Sequence, residues 1–319
     1  MSRFLKVLFH FEPGSGLAAK LARLSHEALE VAFCAESDAV RFERLLPDAE
    51  VLWHVLKPVT AEVVEKAPKL RLIQKMGTGL NTIDLEAARC RNISVANMPG
   101  INAPAVAEMT LGLMLAGMRR MAAIDRSLRD EARWAVPPAE QELLGEIGGR
   151  TVGLVGLGAI PRRLMPILKM MGARLLYWTR LPKPEFEGVA EWRQLDALLE
   201  ESDIVSLHLP LTDNTKHILN RRRLELLRPG ALLVNTARGG LIDELALIDL
   251  LQAGRISAAL DVFEQEPLHK GHPLMALSNV TLAPHTAWLT AETMARSVTV
   301  AAENCRRLMA GEPLLYQVI

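Results

Sequence analysis

Short apolar runs alternate with amphipathic stretches along most of the chain. In the first hundred residues, 5–11 and 51–56 are almost continuously apolar, whereas 38–45 and 61–66 have the mixed pattern of helices. Continuous apolar runs are typical of parallel strands that are buried on both faces. The pattern therefore predicts an α/β domain in which helices cover both sides of a parallel sheet.

The alternation begins again at residue 151. Helices lie between the predicted strands, which are 151–156, 174–179, 204–207, 231–235, 258–262 and 280–282. This order is typical of a doubly wound parallel sheet of the Rossmann type, and a helix at 291–310 closes the chain. A chain of 319 residues is long enough for two such domains.

The segment between the two regions has a different pattern. Residues 102–120 predict a helix that is apolar on nearly every face, so we expect it to be buried on all sides, between domains or between subunits. Residues 125–150 mix charged residues with Trp134 and prolines, which predicts an arm and a loop.

Composition argues against several classes of protein. Basic and acidic residues number 37 each, whereas a nucleic-acid or anionic-membrane partner usually leaves a basic excess. No uninterrupted apolar run reaches about 18 residues, so we expect no membrane span. The three cysteines form no CxxC motif, which predicts neither disulfides nor a metal site. We expect a cytoplasmic protein.

A glycine turn links the first strand of the second region to its helix. Gly156 allows a tight turn, and Gly158 lets a pyrophosphate approach the helix start at Ala159 and Ile160. Pro161 replaces the usual third glycine, and proline is tolerated in a first helical turn. The context predicts dinucleotide binding, and a purely structural turn is the alternative.

The end of the next strand bears on the choice of dinucleotide. An NAD site usually has an acidic residue there for the ribose 2′-hydroxyl, whereas this chain has Thr179 followed by Arg180. Without the carboxylate, nothing there repels a 2′-phosphate, and arginine can bind it. NADP is therefore favoured over NAD; the alternative is that Arg180 only points into solvent.

Three polar residues follow three successive strands. Arg238 follows 231–235, Glu266 follows 258–262 and His285 follows 280–282. Ligands of open α/β sheets bind beyond the carboxyl ends of the strands, so these side chains are predicted to converge on one crevice. Taken singly, each has a structural alternative as a surface or capped residue.

These residue types suit hydride transfer to a 2-keto acid. A protonated imidazole at His285 can deliver a proton to the carbonyl oxygen, and the carboxylate of Glu266 would stabilise that imidazolium. Arg238 can bind the substrate carboxylate through two parallel hydrogen bonds and polarise the keto oxygen.

On these motifs the chain resembles the D-isomer-specific 2-hydroxyacid dehydrogenase family over essentially its whole length. The matching stretches are GLVGLG at 153–158, HLPLTDNT at 208–215, NTARGGLID at 235–243, ALDVF at 259–263, Glu266-Pro267 and Pro284-His285. The resemblance implies that Arg238, Glu266 and His285 are catalytic. It also implies cofactor contacts from Pro210, Thr215, Thr236, Ala237, Asp261 and His285.

The resemblance further implies the domain organisation. Residues 1–100 with 289–319 would form a flavodoxin-like substrate domain, and 101–288 the dinucleotide-binding domain, with hinge closure that excludes water. In the first domain, the backbone N–H groups of Thr78 and Gly79 would bind the substrate carboxylate with Arg238, unless this loop is an ordinary turn. The apolar helix after Pro104 implies a C2 homodimer.

The expected substrates are small 2-keto acids, with D-2-hydroxy acids as products. Glyoxylate and hydroxypyruvate are favoured by the NADP-like pair Thr179-Arg180 and because no regulatory domain is expected after the closing helix. A phosphoglycerate dehydrogenase-like enzyme is the first alternative. The second is a nicotinamide-sensing scaffold of the corepressor type, since fold alone does not fix function.

Overall fold

The computed structural model describes residues 4–319, in two compact units that are each built on a parallel sheet. The first unit contains the residues up to Asn102 together with Thr290–Ile319, and the second is Ala103–Leu289. The predicted α/β class, with two parallel sheets, is confirmed.

The first unit has a sheet of five strands. The strands are β1 (Leu5–His10), β2 (Leu29–Phe33), β3 (Val51–His54), β4 (Leu72–Lys75) and β5 (Ser94–Ala96). The helices are α1 (Ser15–Ala22), α2 (Ala39–Leu45), α3 (Ala61–Glu65), α4 (Leu85–Cys90) and, near the end of the chain, α12 (Ala291–Ala310). The strand order β2-β1-β3-β4-β5 is that of flavodoxin-like sheets. Buried Leu8, Leu52 and Ile73 from three neighbouring strands form part of its core.

The second unit has seven strands. They are β6 (Thr151–Val155), β7 (Arg174–Trp178), β8 (Glu191–Trp192), β9 (Ile204–Leu207), β10 (Leu232–Asn235), β11 (Ser257–Leu260) and β12 (Val280–Leu282). The helices are α5 (Ala103–Met118), α6 (Met121–Glu131), α7 (Pro138–Gln141), α8 (Ala159–Met170), α9 (Leu195–Glu201), α10 (Arg221–Glu225) and α11 (Glu244–Gln252). The order β12-β11-β10-β9-β6-β7-β8 is the Rossmann order, and it reverses direction between β9 and β6. Ligands of such sheets bind at this switch point.

One expectation about the joining segment is wrong. Part of 125–150 is not loop, because α6 extends to Glu131 and is supported by an ion pair between Asp125 and Arg129 one turn apart. In the single chain Glu108, Gly112 and Leu115 of α5 are exposed, so the burial of this helix between subunits stays a prediction. None of the helices within residues 4–319 combines the length and the apolar character that a membrane span requires.

Candidate active site

The glycine turn lies between β6 and α8. Gly156 has φ +100°, and a Cβ atom there would lie 2.6 Å from the carbonyl oxygen of His208. A side chain at this position is therefore opposed both by the backbone conformation and by the segment that follows β9. The glycine lets the chain after β9 pack directly against the turn at the switch point.

The start of α8 fits an anionic pyrophosphate. Gly158 is the N-cap residue without a capping side chain, and the first turn contains no acidic residue. A Cβ atom at Gly158 would have no neighbour within 4 Å, so the space in front of the helix is open. Pro161 brings no N–H group to this turn. The N–H groups of Ala159 and Ile160 are therefore those that suit a bound anion.

The loops after β7 and β9 hold the next predicted residues. Arg180 is exposed just beyond β7, and the Thr179 hydroxyl donates to the carbonyl oxygen of Leu181 (2.6 Å). After β9, the Thr215 hydroxyl donates to the carbonyl oxygen of Pro210 (2.7 Å) and accepts from the N–H of Thr212 (2.8 Å). Thr215 therefore fixes the shape of the loop that carries Pro210.

The loop after β10 is fixed by Asn235. Its side-chain amide donates to the carbonyl oxygen of Arg238 (2.9 Å), and its amide oxygen accepts from the N–H of Ala237 (3.0 Å). The buried hydroxyl of Thr236 lies 2.8 Å from that of Thr110 on α5. These bonds position the backbone from which the Arg238 side chain projects.

Gly239 brings the loops after β10 and β11 into contact. A Cβ atom there would lie 1.9 Å from the carbonyl carbon and oxygen of Phe263, so only glycine allows the two backbones to approach this closely. The contact places the Arg238 loop directly beside the segment that leads to Glu266, and their charges interact.

Glu266 and His285 form the central pair. His285 Nδ1 lies 2.6 Å from Glu266 Oε2, and Glu266 Oε1 accepts from the N–H of Phe263 (3.0 Å). A carboxylate at Nδ1 requires the proton on that nitrogen, so Nε2 remains for substrate. The side chains of His285 and Glu266 are 19% and 33% exposed, so a small ligand can reach them.

The charges of this group depend on one another. Burial alone would raise the pKa of Glu266, but the hydrogen bond and charge of His285, the Phe263 N–H and the charge of Arg238 together lower it. Burial lowers the pKa of Arg238, and the charge of Glu266 opposes that shift. Glu266 is therefore an ionised hydrogen-bond acceptor near neutral pH.

Asp261 holds the turn that carries His285. The carboxylate is 1% exposed, and its two oxygens accept from the N–H groups of Thr286 (2.8 Å) and Ala287 (2.9 Å). Its carbonyl oxygen accepts from the N–H of His285 (2.8 Å). Burial raises the pKa of Asp261, although the two backbone bonds oppose this. The structure thus gives Asp261 a positioning role, and its cofactor contact remains a prediction.

The predicted substrate loop lies in the first unit. The Thr78 hydroxyl donates to the carbonyl oxygen of Met98 (3.2 Å). The side-chain amide of Asn97 donates to the carbonyl oxygen of Thr78 (2.9 Å). Within residues 4–319, neither the backbone N–H of Thr78 nor that of Gly79 donates to a protein acceptor. These two N–H donors suit an anion. Their binding of the substrate carboxylate stays a prediction.

Sequence reasoning missed two supporting residues. The short spacing between Asn235 and Arg238 was an available signal, because Asn side chains often bond the backbone two or three residues on. Thr110 gave no signal, since it lies 126 residues from Thr236. No cluster of ligands that could hold a metal ion occurs in the part of the chain that the structure describes.

A Rossmann sheet with a glycine turn, a His–Glu pair and a neighbouring arginine defines a nicotinamide-dependent dehydrogenase. Residues 111–287 match the family model described as "D-isomer specific 2-hydroxyacid dehydrogenase, NAD binding domain". The chain belongs to the D-isomer-specific 2-hydroxyacid dehydrogenase family. It is an oxidoreductase that acts on CH–OH donors with a nicotinamide cofactor.

Two relatives and one protein of known structure are similar to this chain over most of their own length. A glyoxylate reductase of Aeropyrum pernix is 42% identical over 81% of this chain and 79% of its own. A hydroxypyruvate reductase of Thermotoga maritima is 39% identical over 79% of this chain and 82% of its own. A protein of Thermus thermophilus with a known crystal structure is 36% identical, with a TM-score of 0.88 over 99% of this chain and 100% of that one.

Proposed function

We propose that this protein reduces glyoxylate and hydroxypyruvate to the corresponding D-2-hydroxy acids, with NADPH favoured over NADH. The observation that carries the proposal is the 2.6 Å contact between His285 Nδ1 and Glu266 in a site that also holds Arg238. This group follows three neighbouring strands of the sheet that carries the glycine turn.

Each residue has a defined task in the reaction. The nicotinamide, when bound, supplies the hydride to the carbonyl carbon. His285, protonated on both nitrogens, donates the Nε2 proton to the carbonyl oxygen as negative charge develops there. Glu266 stabilises the imidazolium through Nδ1, and Arg238 binds the substrate carboxylate and polarises the carbonyl group. The product is the hydroxy acid, and His285 is left neutral until it takes a proton from solvent.

The residues at the glycine turn and the next strand would hold the dinucleotide. The pyrophosphate would lie at the open start of α8, against Gly156, Gly158, Ala159 and Ile160. Beyond β7, Thr179 and Arg180 stand where an NAD site usually has a carboxylate. A guanidinium in that place favours the 2′-phosphate of NADP.

Turnover is tested by the loss of absorbance at 340 nm, with glyoxylate or hydroxypyruvate and with NADPH or NADH in parallel. We expect kcat/KM to be higher with NADPH for both acids. A higher value with NADH would overturn the cofactor preference and leave the enzyme class intact. Turnover of neither acid would overturn the substrate assignment.

The same assay separates the alternatives. A phosphoglycerate dehydrogenase-like enzyme would oxidise 3-phosphoglycerate in the reverse direction at a kcat/KM above that of glycerate. A nicotinamide-sensing scaffold would bind the dinucleotide without turnover of any 2-keto acid in a wide panel.

We also propose that the protein is a C2 homodimer of the cytoplasm. The exposed face of α5 at Gly112 and Leu115, and an α6 without any buried residue, suit burial against a second copy. All three cysteines are free thiols, as is usual in a reducing compartment. Sedimentation of the purified protein tests the dimer.

A further inference from the structure

The loop that follows β7 is tied down from both sides. The hydroxyl of Tyr177 accepts from the backbone N–H of Lys183 (2.8 Å) and donates to its carbonyl oxygen (3.2 Å). Tyr177 is 3% exposed, so its hydroxyl needs a protein partner, and it has both backbone groups of one residue. Nearer to the strand, the carbonyl oxygen of Thr179 accepts from Trp192 Nε1 (3.1 Å). The backbone from Thr179 to Lys183 is thus fixed at its two ends.

The far end of this loop is tied to the glycine-turn helix. Arg162, in the first part of α8, has Nη2 3.1 Å from Glu185 and its guanidinium carbon 4.7 Å from the ring centre of Phe186. The ring of Phe186 in turn contacts that of Tyr177, with 6.1 Å between their centres. The loop therefore has a set position next to the start of α8.

The one carboxylate of the loop between residues 179 and 186 is paired with an arginine of α8, whereas the two cations of the loop have no such partner in the described part of the chain. Glu185 is the single acidic residue between 179 and 186, and Arg162 pairs with it. Arg180 and Lys183 are exposed, and no ion pair within 4 Å joins either of them to a carboxylate within residues 4–319, although Lys183 is near enough to Glu185 for its charge to act on that carboxylate. A rigid loop with two such cations and a neutralised carboxylate is suited to bind a dianion, because little conformational entropy is lost on binding.

We propose that Lys183, positioned by the Tyr177 hydroxyl, is a second cation that binds the 2′-phosphate of NADP beside Arg180. This inference rests on the proposed preference for NADP. It makes Tyr177 a positioning residue for cofactor selection, although the tyrosine itself is buried away from the ligand. Lys183 sets selectivity through its charge, whereas Tyr177 acts through the loop backbone.

The test is the dissociation constant of NADPH and of NADH, measured by dinucleotide fluorescence with the full-length protein and no substrate. Lys183→Gln removes the charge, Lys183→Arg retains it, and Lys270→Gln is a control with the same charge change in an exposed loop. Tyr177→Phe removes only the hydroxyl and keeps the contact with Phe186. Arg180→Ala serves as the reference for the proposed cofactor preference.

We expect the wild-type protein to bind NADPH more tightly than NADH. Arg180→Ala and Lys183→Gln should each weaken NADPH by roughly 10-fold or more, as expected for a charged hydrogen bond. Tyr177→Phe should weaken NADPH by about 3- to 10-fold, since one uncharged contact is lost. The affinity for NADH should stay unchanged in all three variants, and Lys183→Arg should retain the preference for NADPH. The preference should also decrease with ionic strength.

The outcomes separate this inference from the proposal on which it rests. If Arg180→Ala loses the preference but Lys183→Gln and Tyr177→Phe keep it, the second cation is refuted and the NADP site stands. If the wild-type protein shows no preference for NADPH, both are overturned. If Tyr177→Phe weakens NADPH and NADH equally, the hydroxyl supports folding rather than selection.

Discussion

The two parallel sheets both carry histidines at the carboxyl ends of their strands, but in different electrostatic settings. In the first unit, His10, His54 and Lys75 stand side by side in register at the ends of β1, β3 and β4. Burial lowers the pKa of His10 to about 4, with the charge of Lys57 adding to the shift. Burial and then the charge of Lys75 lower the pKa of His54 well below its ordinary value.

In the second unit, His285 has a carboxylate instead of a cation as its neighbour. Its Nδ1 bonds to Glu266 and it is partly exposed, whereas His54 is fully buried and bonds through Nε2 to the hydroxyl of Thr82 (2.8 Å). Neither His10 nor His54 pairs with a carboxylate in the part of the chain that the structure describes. A strand end alone therefore does not equip a histidine as an acid catalyst, and the carboxylate partner and the access of solvent distinguish His285 from His10 and His54.

The largest effect should come from His285, the histidine that lies beside Glu266 and Arg238. We expect His285→Gln to lower kcat by roughly 10²- to 10⁴-fold, because the proton donor is lost. The dissociation constant of the dinucleotide should change little. A matched control is His217→Gln, since His217 also lies 2.8 Å from a glutamate, Glu264. A kcat for His285→Gln equal to that of the control would contradict the proposed role.

Removing the charge of Glu266 tests whether this carboxylate is what separates His285 from the histidines at the strand ends of the first sheet. Glu266→Gln should lower kcat by roughly 10- to 100-fold, the value of one charged hydrogen bond. Because the pKa of Glu266 lies below its ordinary 4.5, the wild-type carboxylate stays ionised at every pH above that value. The measurement is kcat at pH 7, where the wild-type carboxylate is ionised. A kcat for Glu266→Gln equal to that of the wild type would contradict the proposed role of the carboxylate.

Asp261 tests how far the position of His285 depends on buried bonds. In Asp261→Asn the amide NH2 would face one of the two backbone N–H groups that now donate to the carboxylate, so one hydrogen bond would be lost. We expect kcat to fall by about 10-fold and the thermal midpoint to fall by several degrees. Asp243→Asn is the control, because Asp243 caps α11 and asparagine caps a helix equally well. Weaker dinucleotide binding at unchanged kcat would instead favour the cofactor contact implied by the family.

The smallest effect on turnover is expected from His10 in the first sheet, where the change should instead be seen in the pH dependence of stability. The pKa of His10 is lowered in the folded chain, so below pH 6.5 the unfolded chain binds a proton that the folded chain resists down to about pH 4. The thermal midpoint should therefore fall as the pH is lowered through this range. His10→Gln should reduce that dependence, and the exposed His26→Gln should not. Equal pH dependence in the two variants would show that His10 does not contribute.

Local patterns predicted most elements of the second unit. The strands β9 and β12 have the predicted bounds, because β9 lies between Asp203 and His208, and β12 begins after Asn279 and ends just before Ala283-Pro284. The two-residue strand β8 was not predicted, since Glu191 and Trp192 show no apolar run. The helix α6 was missed although Met121, Ile124 and Leu128 have the spacing of one apolar helix face, so a signal was available in the sequence.

The chemical groups of the candidate site could be predicted from the sequence, but the contacts that position them could not. Arg238, Glu266 and His285 follow apolar strands, so their types and places are visible in the chain. The approach of Gly239 to Phe263 and the contact of Thr110 with Thr236 join residues that are far apart in sequence. No local pattern encodes such contacts, because each depends on how two elements pack.

The two parallel sheets, the glycine turn and the residue types at the strand ends can be predicted from the amino-acid sequence, because apolar periodicity and strand-end chemistry are local properties. The bonds by which both oxygens of Asp261 hold the His285 turn, and by which Tyr177 holds the loop of Lys183, depend on the packing of the folded chain. A buried polar atom takes whichever partner packing brings within reach, and that choice exists only once the chain has folded.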